Sequence, residues 1–208
     1  MRILAIGDVV GNIGCRFLRQ RLPALKKLKG VDLVIANGEN SADGNGVTPI
    51  SADFLFSSGV DVITTGNHSF RRREIYPYYD DAPYILRPAN FPEKTTPGNG
   101  TLIYDMGRVQ VCVINLMGCV FLENLKDPYE TIDEILKKNT AKITILDFHA
   151  EATAEKLAMG YYLDGRISAM FGTHTHVQTA DECIFENGMG YITCLLYTSP
   201  SPRDGLLS

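Results

Sequence analysis

At 208 residues the chain is long enough for one domain with a sizeable core. Apolar residues make up 45% and charged residues 21%, which excludes a disordered or fibrous protein. A net charge of −4 leaves no general basic field for long nucleic acid, so an anionic substrate needs local positive charge from side chains or metal. The opening MRILAIGDVVG is too short an apolar run for a secretory signal, and no stretch reaches the length of a membrane span. Five cysteines, at 15, 112, 119, 183 and 194, form no CxxC pair and fit reduced thiols in a cytoplasmic protein.

Apolar β-branched runs alternate with helical patterns along the chain. RILAI at 2–6 predicts a first strand, followed by a helix over 13–29 that Pro23 should kink. VDLVIA at 31–36 and VDVITT at 60–65 predict buried strands, with helices at 49–58 and 71–80 after them. A turn-rich stretch then leads to strands at 101–105 and 109–115. Met106-Gly107-Arg108 joins them as a hairpin, so the sheet is mixed or there are two sheets. Asp127-Pro128 marks the start of a helix at 130–139. KITILDF at 142–148 and RISAMF at 166–171 are the last strong strands. The helix between them, 151–162, should set Glu151, Glu155 and Lys156 on a polar face opposite Ala152, Leu157 and Ala158. The pattern is that of a layered α/β domain.

The polar residues fall in one place. Asp8 follows the first strand, Glu39 and Asn40 the second, and Asn67 and His68 the third. His149 follows the strand at 142–148, and His174 and His176 follow the one at 166–171. Ligands of open α/β sheets collect outside the carboxyl ends of the strands, and all four histidines lie at such ends. Any one of these residues alone could be a helix cap, a turn residue or a satisfied core histidine. Together they make a donor set of imidazole, carboxylate and amide that suits divalent first-row metals, with no cysteine cluster for structural zinc. Side chains two apart on an extended backbone point the same way, so His174 and His176 could each serve one of two adjacent metals. Glu39 is the candidate bridging carboxylate.

The motifs IGDVVG, NGEN, GNH, LRPANFP, INLMG, DFHAEATAEK, MGYYLDGR and GTHTHVQTAD, in this order across about 1–193, resemble the YmdB-like family of bacterial metallophosphoesterases. The resemblance implies a calcineurin-like sandwich of two mixed β-sheets flanked by helices. It further implies two metal ions, iron or manganese with zinc an alternative, and hydrolysis of 2′,3′-cyclic nucleotides such as 2′,3′-cAMP. By position, Asp8, Asn40 and His176 would hold one metal and Asn67, His149 and His174 the other, with Glu39 between them. His68 would act beside the metals as proton donor to the leaving ribose oxygen or as a stabiliser of transition-state charge. The resemblance also implies self-association. Phe70-Arg71 stands where relatives often have Trp-Asp, Cys119 where a cysteine is not typical, and Cys183 where an arginine is expected.

Relatives continue after YIT with Asp-x-Gly-Met-x-Gly and further strands, whereas this chain reads CLLYTSPSPRDGLLS. That stretch resembles a translated sequencing adapter. It divides the chain into a metallophosphoesterase domain at 1–193, with its last strands missing, and a non-native tail at 194–208. Two other readings fit the same donor set: a regulatory protein that binds a nucleotide or RNA end, and a metal-dependent phosphomonoesterase or nuclease.

Overall fold

The computed structural model describes residues 1–198. The chain runs β1 (Ile3–Ile6), β2 (Asp8–Val9), α1 (Gly11–Lys29), β3 (Leu33–Asn37), α2 (Pro49–Ser57), β4 (Val62–Thr64), α3 (Ile75–Asp81) and β5 (Ile85–Leu86). It continues with β6 (Thr101–Asp105), β7 (Gln110–Met117), α4 (Pro128–Lys138), β8 (Ile143–Ala150), α5 (Thr153–Leu163) and β9 (Ala169–His174). Three short strands follow: β10 (Cys183–Ile184), β11 (Gly190–Ile192) and β12 (Leu196–Thr198). No helix among the described residues is long and apolar enough to cross a membrane.

The strands form two main sheets. One has the order β1-β3-β4-β5 and is parallel throughout. The other has the order β10-β11-β9-β8-β7-β6 and is mixed, with the β6–β7 hairpin and the β10–β11 pair antiparallel. The period-2 alternation of strand side chains divides the interior into three apolar layers. On β3, Val34 and Ala36 face α1, α2 and α3, while Leu33 and Ile35 face the second sheet. On β7, Val111 and Val113 meet them from the other side, and Cys112, Ile114 and Leu116 turn outward toward α4 and α5. The architecture is an α/β/β/α sandwich. The two faces of each sheet are both covered, which explains the near-continuous apolar runs in the sequence.

Local signals set the helix ends. The Thr48 side chain accepts from Ser51 N and Ser51 returns the bond to Thr48 N, a capping box with Pro49 at the first helical position. Asp127 caps α4, accepting from Tyr129 N at 2.8 Å and Glu130 N at 3.0 Å. Three expectations are corrected. The helix expected at 71–80 begins only at Ile75, because Arg71, Ile75 and Tyr76 donate to carbonyls three residues back and hold the segment in tight turns. The strand expected at 166–171 is Ala169–His174, because Arg166 N and Ile167 N are both held by Leu163 O. The polar face expected on α5 is not polar: Lys156 is fully buried with Met159, Gly160 and Leu163, and Leu157 is exposed.

The first residues of the expected tail, 194–198, are packed in the structure. Cys194 is buried, Leu195 N donates to Gly172 O at 2.9 Å, and β12 runs parallel to β2. Gly7 lies so close that a Cβ there would sit 2.1 Å from Leu195 O. The apolar Cys194-Leu195-Leu196-Tyr197 supplies buried surface that keeps 194–198 within the fold. The rest of the expected tail, 199–208, lies outside the described residues.

Ile35 is fully buried between the sheets. Ile35→Ala should lower unfolding free energy by about 2–5 kcal/mol in urea titrations. The exposed Ile184→Ala should change it by less than about 0.5 kcal/mol.

Candidate metal centre

The sandwich brings the carboxyl ends of its central strands together. Asp8 opens β2, Glu39 and Asn40 follow β3, Asn67 and His68 follow β4, His149 lies in β8, and His174 ends β9. The turn after β3 is built by Asn37, whose side-chain oxygen accepts from Glu39 N at 3.2 Å, and by Gly38 N, which donates to Thr64 O. After β4 only glycine fits at position 66, since a Cβ there would stand 2.2 Å from the His149 ring.

All seven expected ligands and His68 lie in one connected cluster. His149 Nε2 is 2.9 Å from Asn67 Oδ1, 3.0 Å from His174 Nδ1 and 3.3 Å from Glu39 Oε1. Glu39, His149 and His174 offer ligand atoms all within 4.8 Å of one another. On the other side of Glu39, Asp8 Oδ1 accepts from Asn40 Nδ2 at 3.1 Å and lies 3.4 Å from His176 Nε2. Asn40 Nδ2 also reaches Glu39 Oε1 at 3.3 Å, and its Oδ1 lies 2.7 Å from His68 Nδ1. His68 N donates to Glu39 Oε2 at 3.0 Å. Glu39 thus touches both halves of the cluster.

The histidine pair does not work by strand alternation. His174 has φ 99° and His176 φ 51°, so the chain coils through left-handed backbone rather than running extended. That path aims His174 at His149 and His176 at Asp8. The buried Lys156 Nζ, 3.3 Å from Thr175 Oγ1, supports the turn from beneath.

The charges explain the cluster's chemistry. Burial opposes ionisation of Asp8, yet its bond to His176 and the nearby His149 hold its carboxyl below the usual range. Burial likewise opposes Glu39, and the charge and hydrogen bond of His149 prevail, so it too is lowered. His149 answers in kind: burial favours its neutral form, but Glu39, Asp8 and Asp147 together raise its pKa. Burial lowers that of His174. The hydrogen bond to Asp8 raises that of His176. Two buried carboxylates therefore retain their charge and draw a proton onto a buried imidazole, a demand for positive charge that a metal cation would meet.

Sequence reasoning missed the shell beneath these groups. Asp147 is fully buried on β8 and accepts hydrogen bonds from Thr64, from Thr173 Oγ1 at 2.7 Å and from Asn37 Nδ2 at 3.2 Å. Asn115 Oδ1 accepts from Thr65 N at 2.9 Å. The available signal was a polar residue inside an otherwise apolar strand, since buried polar groups persist only when hydrogen-bonded. Of the departures noted in the sequence, Phe70 joins an aromatic cluster with Tyr76, Tyr79 and Phe91 at 5.2–5.4 Å, and Cys183 is exposed on β10.

A family model described as YmdB-like protein matches residues 4–200. The chain belongs to the YmdB-like family. It is 48% identical over 210 residues to a Bacillus subtilis (strain 168) protein named 2′,3′-cyclic-nucleotide 2′-phosphodiesterase, covering all of this chain and 78% of that one. A crystal structure of a hypothetical protein from Thermus thermophilus superposes with a TM-score of 0.92 at 39% identity, over 97% of this chain and 79% of the other. A Mycoplasma pneumoniae structure described as a novel phosphatase superposes with a TM-score of 0.88 at 32% identity, over 93% and 71%. This YmdB-like member therefore shares the sandwich of its relatives.

Burial pushes the Asp147 carboxyl up to about 6, above an unfolded value of about 3.9. The folded state then holds this proton more tightly, so the stability it contributes is present below pH ~4 and fades as pH rises toward 6. Asp147→Asn removes the dependence. In metal-free protein the variant should gain on wild type by up to about 3 kcal/mol between pH 4 and pH 7, read from urea unfolding at each pH.

Proposed function

We propose that this chain is a metal-dependent phosphodiesterase that opens 2′,3′-cyclic nucleotides such as 2′,3′-cAMP at a dinuclear centre. One observation carries the reading: two buried, charged carboxylates and three imidazoles converge about Glu39 with unshared donor atoms facing one another. The family membership and the activity named for the Bacillus subtilis relative support the substrate class.

The donor set fits the metals. His149 Nε2, His174 Nδ1, Asn67 Oδ1 and Glu39 Oε1 would hold one ion, and Asp8 and His176 with Glu39 the other. Asn40 completes the second set if its amide turns over, giving its oxygen to the cation and its nitrogen to His68. Imidazole, amide and carboxylate suit iron or manganese. The pair of ions would supply Lewis acidity to the phosphoryl group and acidify the attacking water.

The protein's own groups position and protonate. His68 is partly open to solvent, with its side chain 27% exposed, while Asn40 and Glu39 hold Nδ1 and the backbone N–H. With the Asn40 amide turned over, its nitrogen donates to His68 Nδ1, so the ring proton is on Nε2, where it can be given to the leaving ribose oxygen.

Chain loaded with Mn²⁺ should hydrolyse 2′,3′-cAMP, and chelation should abolish turnover. His68→Ala should lower kcat by about 10²–10⁴-fold while Mn²⁺ uptake stays at the wild-type level. A folded, metal-loaded protein that leaves 2′,3′-cAMP intact contradicts this assignment. Binding of the nucleotide without turnover would then favour a sensor, and turnover of monoesters alone a phosphatase.

A further inference from the structure

Both histidines that face each other at 3.0 Å are held from behind by oxygen acceptors. Behind His149, Nδ1 lies 2.9 Å from Thr173 Oγ1, whose single proton goes to Asp147 Oδ1 at 2.7 Å. A hydroxyl has one proton, and that of Thr173 is donated to Asp147 Oδ1, so Thr173 Oγ1 can only accept from His149. The proton between them is therefore on His149 Nδ1. Behind His174, Nε2 lies 2.9 Å from Glu151 Oε2. That places a proton on His174 Nε2. The two front atoms, His149 Nε2 and His174 Nδ1, are then the ring positions left for lone pairs.

We propose that Glu151 and the Asp147–Thr173 pair are positioning residues that fix the tautomers of His174 and His149, so that both imidazoles present lone pairs to one cation. The inference rests on the metal centre proposed above. The two devices differ in exposure. Asp147 and Thr173 are fully buried, so theirs is built into the core between β8 and β9. Glu151 stands in solvent just before α5, with its side chain 47% exposed, so it can be changed without disturbing packing. Carboxylate–histidine pairs of this kind orient ligands and raise their basicity.

The test uses the full chain and Mn²⁺ as probe. Glu151→Ala and Thr173→Val should each weaken Mn²⁺ binding by about 10–100-fold, and Glu151→Gln and Thr173→Ser, which keep an acceptor, should recover most of it. Imidazole ¹⁵N spectra of the Zn²⁺-loaded wild type should show protons on His149 Nδ1 and His174 Nε2. The His174 Nε2 proton should lose its exchange protection in Glu151→Ala. Wild-type affinity and unchanged ring signals in both Glu151→Ala and Thr173→Val overturn the inference while leaving the metal centre in place. A wild type that takes up neither ion overturns the centre and the inference with it.

Discussion

Asp8 and Glu39 are buried to within 1% of full enclosure and keep their charge. Removing a carboxylate from water costs several kcal/mol, and the cost is offset by positive charge and hydrogen bonds at close range. Among the described residues no lysine or arginine forms an ion pair with either one. The basic side chains paired with them are histidines, and His149 is drawn toward its protonated form as a result. The arrangement is unfavourable for stability alone. It becomes reasonable as a receptacle whose cation replaces that proton, and the surrounding turns then follow as the means of aiming donors at it.

The sandwich supplies the rigidity that this requires. Ligands on strand ends inherit the register of the sheets, and β8 pairs with β9 so that His149 lies beside Thr173 and Ala150 beside His174. The histidine turn carries a further cost. Left-handed backbone at a non-glycine residue costs about 1–3 kcal/mol and persists only where the surroundings over-determine it. Here Asp8 Oδ2 accepts from His174 N at 3.2 Å, and the buried Lys156 reaches Thr175 between the two histidines. The Asp8 carboxylate thus serves the backbone through one oxygen and His176 through the other.

The sequence made the scaffold legible where physics leaves a periodic trace. VDLVIA at 31–36 and KITILDF at 142–148 read as strands because both faces are covered, and Asp127-Pro128 marked a helix start through capping. Register near loops left no such trace: the Leu163 carbonyl that delays β9 acts by a hydrogen bond, not by a residue pattern. Lys156 misled because a charged residue on an amphipathic helix normally faces water, whereas here it lies under the histidine turn. The first ring of the site was readable because Asp8, Glu39, Asn67, His68 and the other histidines interrupt apolar runs at strand ends. The ring beneath was not, because Asn37, Asp147 and Thr173 meet across 26 to 136 residues of chain. Such distances follow from topology and not from local spacing. Likewise Glu151 looked like part of a helix face and stands instead against His174.

The most direct test of the two-metal account is anomalous scattering from crystals of the chain grown with Mn²⁺. The account predicts two peaks about 3.5–4 Å apart on either side of Glu39, one against Asp8 and His176 and the other against His149 and His174. A single peak, or manganese bound only away from Glu39, would contradict it.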